Sequence, residues 1–113
     1  MDAGQYNIVC KQGSTFSLPF TIDEDGTLWD VLGWSARMQV RPFVESDTVL
    51  LSLTNGNGIT LAAGGSVTIN ITAAQLSAMP PGTHVYDLEL IDLSNSPESI
   101  LEGKFILRPE TTR

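Results

Sequence analysis

The stretch STFSLPFTID, residues 14–23, decides the fold class of this chain. Its apolar side chains stand at residues 16, 18, 20 and 22, and hydroxyl residues or proline stand between them. A period of two places these apolar side chains on one face of an extended strand, which predicts a strand buried on one side. Pro19 has no N–H to donate to a neighbour, so we expect this strand to lie at a sheet edge or to carry a bulge.

The same alternation recurs at short spacing along the chain. It predicts strands over residues 35–42, 48–54, 66–71, 83–93 and 99–108, a further strand over 6–11 and a short one over 59–61. Turn sequences such as NGNG at 55–58, GG at 64–65 and PPG at 80–82 separate these runs. Such turns between alternating segments are typical of antiparallel sheets. We therefore predict an all-β fold, an antiparallel β-sandwich of about seven or eight strands.

One helix is predicted, over Thr72–Met79. Thr72 and Gln75 have the spacing of a capping box, in which each side chain bonds the backbone N–H of the other residue. Ile71 and Leu76 stand at the positions of a hydrophobic staple across this helix start. Two prolines at 80–81 end the helix, so it serves as a short connection between strands.

Length and charge restrict the classes of protein to which the chain can belong. The 113 residues predict a single domain over 1–113, with residues 1–4 and 109–113 as loose termini. The net charge of −7 and the scattering of only six Lys and Arg residues argue against nucleic acid and anionic membranes as partners. The single cysteine excludes an intrachain disulfide, and the N-terminus does not resemble a signal peptide. We expect a protein made in a cytoplasm.

Residue types that carry chemistry are few and separated along the chain. His84 is the only histidine, and it has no triad or zinc pattern around it, so we interpret it as a partly buried strand residue beside Tyr86. Cys10 is predicted to be a small buried apolar side chain. The acidic run at 23–25 lacks the ligand spacing of a calcium loop and predicts a solvated hairpin tip. We therefore expect no catalytic residues, no metal and no cofactor.

Two tryptophans, Trp29 and Trp34, flank a short apolar segment. Exposed aromatic rings form the stacking platforms of carbohydrate-binding modules, so this pair is the candidate glycan site. The alternative, which we favour, is that Leu28, Val31, Leu32 and Trp34 close one end of the core just before a strand.

Four charged residues on the outward faces of two predicted strands are the candidate protein-interaction residues: Arg37 and Arg41 on one strand, Asp87 and Glu89 on the other. If the two strands are neighbours, these charges pair within the domain for little net free energy. If they are not, the charges form opposite patches that could steer docking of a partner or a second copy.

Several segments carry a resemblance to a known family. They read QGSTFSLPF at 12–20, DVLGWSARMQVR at 30–41, GITL at 58–61, TINI at 68–71 and PGTHVYDLEL at 81–90. Their order resembles small immunoglobulin-like β-sandwich structural proteins of tailed bacteriophages, and is similar to the N-terminal domain type of phage baseplate upper proteins. The resemblance covers residues 12–109. Those proteins continue into a coiled or fibre region that this chain lacks, which favours a stand-alone component.

The resemblance implies a function without catalysis. It predicts a virion structural protein of the tail, baseplate or neck that is made in the host cytoplasm. Its partners would be other virion proteins, and it would be present as a homo-oligomer or in several symmetric copies. The alternatives are a capsid decoration protein and a carbohydrate-binding adhesion module.

Overall fold

The structure is a computed structural model that describes residues 4–24 and 26–111. Its strands are β1 (Gly4–Gln5), β2 (Ile8–Lys11), β3 (Phe16–Thr21), β4 (Asp23–Glu24), β5 (Thr27–Leu28), β6 (Ser35–Arg41), β7 (Leu51–Asn55), β8 (Gly58–Ala62), β9 (Ser66–Ile71), β10 (Gly82–Ile91) and β11 (Pro97–Arg108), and its helix is α1 (Ala73–Ser77). The chain is therefore all-β with one short helix, as predicted. The predicted loose termini fall partly outside the described residues, while Gly4 pairs with Leu101 in β1.

Nine of these strands form one sheet. Their order is β1-β11-β10-β6-β7-β8-β9-β3, with β2 also paired to β11, and β4 and β5 form a separate two-stranded ribbon. Most pairs are antiparallel, but β1 and β2 run parallel to β11, and β7 runs parallel to β8. The strand count is thus higher than the predicted seven or eight, because short N-terminal strands and the ribbon add to the long alternating segments.

The sheet curls so that strands from both of its halves contribute to one core. A single cluster holds Met38 of β6, Leu88 of β10 and Phe105 of β11 together with Ile59 of β8 and Ile69 of β9. Alternation puts these side chains on the same face of the sheet. The hydrogen-bonded path between the two halves is continuous, so two separate sandwich sheets are not established, and the immunoglobulin-like arrangement stays a prediction.

The placement of β3 agrees with the expectation from Pro19. β3 is the last strand of the sheet, and among residues 4–24 and 26–111 it pairs only with β9, with Pro19 opposite Thr68. Its apolar residues Phe16, Leu18 and Phe20 point toward the core and are half-buried, while the residues between them are exposed. A proline is tolerated there because an edge strand has one side without a ladder.

The predicted strand over 48–54 begins later in the structure, at Leu51. The Ser46 hydroxyl accepts a hydrogen bond from the Thr48 amide at 3.0 Å, which forms a local turn in place of strand pairing. Val49, predicted to face the core with Leu51 and Leu53, is 40% exposed as a consequence.

The helix begins as predicted. The Gln75 amide donates to the Thr72 hydroxyl at 3.1 Å, and the Thr72 amide donates to the Gln75 side-chain oxygen at 2.9 Å. Ile71 and Leu76 are both fully buried. The helix carries the chain from β9 in one half of the sheet to β10 in the other.

A close crossing holds the N-terminal strands on β11. Tyr6 and Asn7, which lie between β1 and β2, come close to the backbone of β11 at Gly103. The Tyr86 hydroxyl donates to the Tyr6 carbonyl oxygen at 2.6 Å, and the Lys104 amide donates to Asn7 Oδ1 at 3.1 Å. Burial raises the pKa of Tyr86 to about 12, with the neighbouring Tyr6 hydroxyl as a second cause, so the Tyr86 hydroxyl stays a protonated donor at neutral pH.

Gly103→Ala tests this crossing. A Cβ on Gly103 would lie 2.3 Å from the Tyr6 carbonyl oxygen, so the N-terminal strands would have to move away from β11. We expect a loss of about 2 kcal/mol or more in the free energy of unfolding, measured with denaturant. Gly64→Ala is the control, because a Cβ there meets nothing within 4 Å, and its cost of about 1 kcal/mol comes from backbone conformation alone. Equal losses in the two variants would contradict the account.

Candidate functional site

The single histidine is a structural residue of β10. His84 is 8% exposed, and its Nε2 lies 2.8 Å from the Pro80 carbonyl oxygen. It lies on the core face with Tyr86, as predicted. Among the described residues, no three His, Cys, Asp or Glu side chains gather where they could hold a metal ion.

Cys10 lies in the core, as predicted. Its side chain is 4% exposed on β2, and burial raises the pKa of its thiol to about 12. The thiol is therefore protonated at neutral pH and is not a nucleophile in the folded protein.

The first two residues of the acidic run at 23–25 lie in a hairpin ribbon. Asp23 and Glu24 form β4 and pair with Leu28 and Thr27 of β5, which places the run beside the tip of the ribbon. Asp25 lies outside the described residues.

No helix within residues 4–24 and 26–111 has the length and apolar character needed to cross a membrane.

The two tryptophans contact each other. Their ring centroids are 5.7 Å apart, their planes are inclined by 56°, and both rings pack partly buried against the core. Rings inclined at this angle do not make one flat platform. Trp34 also borders a shallow depression of about 380 Å³ with the polar residues Ser35, Asn55 and Thr60.

The four predicted interaction residues lie together on the outer face of two neighbouring strands. β6 pairs with β10, with Arg37 opposite Glu89 and Gln39 opposite Asp87. Arg37 Nε donates to Glu89 Oε1 at 2.7 Å, and Arg41 Nη2 donates to Gln39 Oε1 at 2.8 Å. The first alternative from the sequence thus describes the structure: these strands are neighbours, and Arg37 and Glu89 pair within the domain.

Asp87 has a less favourable neighbour on its other side. β10 also pairs with β11, and this places Asp87 directly opposite Glu102. Burial raises the pKa of Asp87, and the charges of Glu89 and Glu102 raise it further against the lowering effect of Arg41 and Arg37. Like charges opposite each other on paired strands are destabilising.

Glu102→Gln is expected to stabilise the fold at neutral pH. A raised pKa means that the folded state favours protonated Asp87, so stability is lost as pH rises above the ordinary pKa of aspartate. Removal of the Glu102 charge lowers the pKa of Asp87 and recovers about 0.2–1 kcal/mol at pH ~7. The gain should vanish near pH ~3, where most carboxyl groups are protonated.

Denaturant unfolding at the two pH values measures this effect, and NMR titration of Asp87 gives the pKa. Asp47→Asn removes the same charge from the exposed β6–β7 connection and serves as the matched control. A gain of equal size in both variants would show that net charge, rather than the cross-strand pair, is responsible.

The prediction that Leu28, Val31, Leu32 and Trp34 close the core is wrong for Leu28 and Leu32, which are 53% and 61% exposed, while Val31 is fully buried.

Two apolar patches lie at opposite ends of β6. The Leu32–Leu93 patch is at the start of the strand: Leu32 is 61% exposed and Leu93 is 76% exposed. Leu93 Cδ2 lies 3.4 Å from the position of a Cβ on Gly33, so its side chain rests on the loop that carries Leu32. The Phe43–Val44 patch follows the end of β6, with exposures of 56% and 74%.

Each patch is formed by residues that the structure places in loops. Leu93 is predicted as the last residue of the strand over 83–93, but β10 ends at Ile91 and Leu93 lies in the turn that follows. The signal in the sequence was its position directly before the turn residues SNSP at 94–97. Adjacent exposed apolar side chains are typical of contact surfaces, whereas isolated ones are ordinary.

A comparison with models of protein families finds no family that matches this chain, and a comparison with curated proteins finds no significant match.

Proposed function

We propose that this chain is a non-enzymatic structural component of a bacteriophage virion, in the tail, baseplate or neck, and that it acts by binding other virion proteins. The observation that carries the proposal is the pair of exposed apolar patches at the two ends of β6. Leu32 and Leu93 form one patch, and Phe43 and Val44 form the other. Burial of such apolar surfaces against a partner protein makes the free energy of binding more favourable.

The position of the patches supports a role inside an assembly. β6 has seven residues, so its ends are about 20 Å apart at the rise of a strand. A domain with contact surfaces at two opposite ends can touch two neighbours at once, which suits a component present in several copies of a symmetric structure. The phage-like order of the strand motifs in the sequence supports the same reading.

The charged face supports protein contacts less strongly. Arg37 and Glu89 already bond to each other, so a partner would have to displace an existing interaction to use them. An exposed ion pair of this kind contributes little to stability or to affinity. The apolar patches are therefore the better candidates for the contact surface than the four charged residues.

Location on the particle tests the proposal. An antibody raised against the purified chain, applied to particles of the phage that encodes it and imaged by immunogold electron microscopy, should label the tail, baseplate or neck. A Leu32→Ser/Leu93→Ser double variant, supplied in place of the natural protein, should fold normally but be incorporated at least about tenfold less. The reason is that two leucines that the proposed contact would bury are lost, which removes well over about 1.4 kcal/mol of contact free energy.

Val9→Thr changes an exposed apolar residue of β2, away from both patches, and is the matched control for incorporation. Label on the head surface would favour a capsid decoration protein instead. Particles without label, with the protein left in the soluble lysate, would refute a virion role.

A carbohydrate-binding module is the second candidate. The specific observation in its favour is the depression of about 380 Å³ beside Trp34, which combines part of an indole ring with Ser35, Asn55 and Thr60. Sugar rings bind to proteins through an apolar face stacked on an aromatic ring and hydroxyl groups bonded to polar side chains.

Tryptophan fluorescence separates the two candidates. In a Trp29→Phe variant, Trp34 is the only indole, and a glycan bound in the depression should shift its emission during titration with host cell-surface polysaccharide. Thr60→Val removes one hydroxyl from the exposed wall of the depression and should weaken a true interaction several-fold. Emission that polysaccharide does not change would reject this second function.

A further inference from the structure

β3 presents a free edge of the sheet. It is the last strand in the order, and within the described residues its only strand partner is β9. Its six residues, FSLPFT, carry no charge, although the chain as a whole has a net charge of −7. An uncharged edge of this length is open to pairing with another strand, because no like charges oppose the approach.

The hydrogen bond that follows the last residue of β3 shows which backbone groups of β3 face β9 and which face the free edge. The Ile22 amide donates to the Gly65 carbonyl oxygen at 2.9 Å. Since bonding toward one neighbour alternates along an antiparallel strand, residues 16, 18 and 20 direct their backbone groups to β9. Ser17, Pro19 and Thr21 direct theirs to the free edge.

Pro19 therefore stands at the centre of the outward-facing positions. Its missing N–H costs the sheet nothing, because that group would have pointed away from β9. The free edge keeps the amides of Ser17 and Thr21 and loses the one between them. A proline at residue 18 or 20 would instead remove a bond to β9.

The other free edge of the sheet, on β2, is a weaker template. The amides of Tyr6 and Gln12 donate to the carbonyl oxygens of Glu102 and Arg108, so even-numbered residues face β11 and odd-numbered ones face outward. β2 has only four residues, and its outward positions include Lys11. A short edge with a lysine resists pairing without further protection.

We propose that Pro19 prevents a second copy of this chain from pairing along the free edge of β3. Two β3 edges that meet antiparallel about a twofold axis place Ser17 opposite Thr21 and Pro19 opposite Pro19. Each of the three outward pairs would exchange two bonds, about six in all. Pro19 removes the central two and leaves two carbonyl oxygens facing each other without a donor.

Burial of the core-facing side chains of β3 would stabilise a pair of copies. Phe16, Leu18 and Phe20 are only half-buried, because β3 is the last strand of the sheet in the part of the chain that the structure describes. Pairing of two copies would cover part of this apolar surface on both. The proposal does not rest on the virion role, since it concerns only the edge of the sheet.

Pro19→Thr tests the proposal on the full chain. The variant should show a concentration-dependent doubling of mass by size-exclusion chromatography with light scattering, at concentrations where the natural chain does not. Its far-UV circular dichroism should remain that of a β protein. The free energy of unfolding at low concentration should not fall, because residue 19 donates no bond to β9.

Two further variants locate the effect. Ser17→Pro combined with Pro19→Thr removes an outward amide again and should return the mass to that of the natural chain. Leu18→Pro removes a bond to β9 and should unfold or strongly destabilise the domain. This variant tests the assignment of residue 18 to the side of β3 that bonds to β9. A Pro19→Thr variant that keeps the mass of the natural chain at every concentration overturns the proposal. So does a doubling that persists in the Ser17→Pro/Pro19→Thr variant, because pairing would then lie elsewhere.

Discussion

The structure depends on the corner between β7 and β8, where the chain passes from one half of the sheet to the other. Thr54 pairs with Gly58, and the Gly56 amide donates to the Ile59 carbonyl oxygen at 2.8 Å. Gly58 has a φ of +100°, and a Cβ there would lie 2.6 Å from the Leu53 side chain. Only glycine permits this close turn, which lets one continuous sheet cover both sides of a core.

With the core covered in this way, most chemistry-bearing side chains are engaged inside the domain. His84 bonds to a backbone carbonyl, Cys10 is buried, and Tyr86 holds the N-terminal crossing. Within the described part of the chain, no buried side-chain polar atom lacks a hydrogen-bond partner. What such a domain offers to other molecules is its surface: loops with exposed apolar side chains, an outer face of charges, and the edge of β3.

These surfaces differ in how readily they can be used. The outer face has its own ion pair and, at Asp87 and Glu102, two like charges that already oppose each other. The side chains of the Leu32–Leu93 and Phe43–Val44 patches are exposed to water, so a contact with another protein would bury more apolar surface there than on the charged face. The β3 edge would pair readily with any uncharged strand but for Pro19. A sheet edge that is closed to pairing limits the set of strands with which a protein can make contact.

The sequence by itself determined the long alternating strands and the start of the helix, and it restricted β3 to a sheet edge or a bulge. Alternation and turn chemistry are local, so residues such as Phe16, Leu88 and Thr72 indicate their environment without knowledge of the rest of the fold. The strand order, the parallel N-terminal strands and the corner at Gly58 required the tertiary structure, since pairing joins residues that are distant in sequence. For the same reason, only the structure decided that Arg37 bonds to Glu89 and that Leu93 rests on the loop at Gly33.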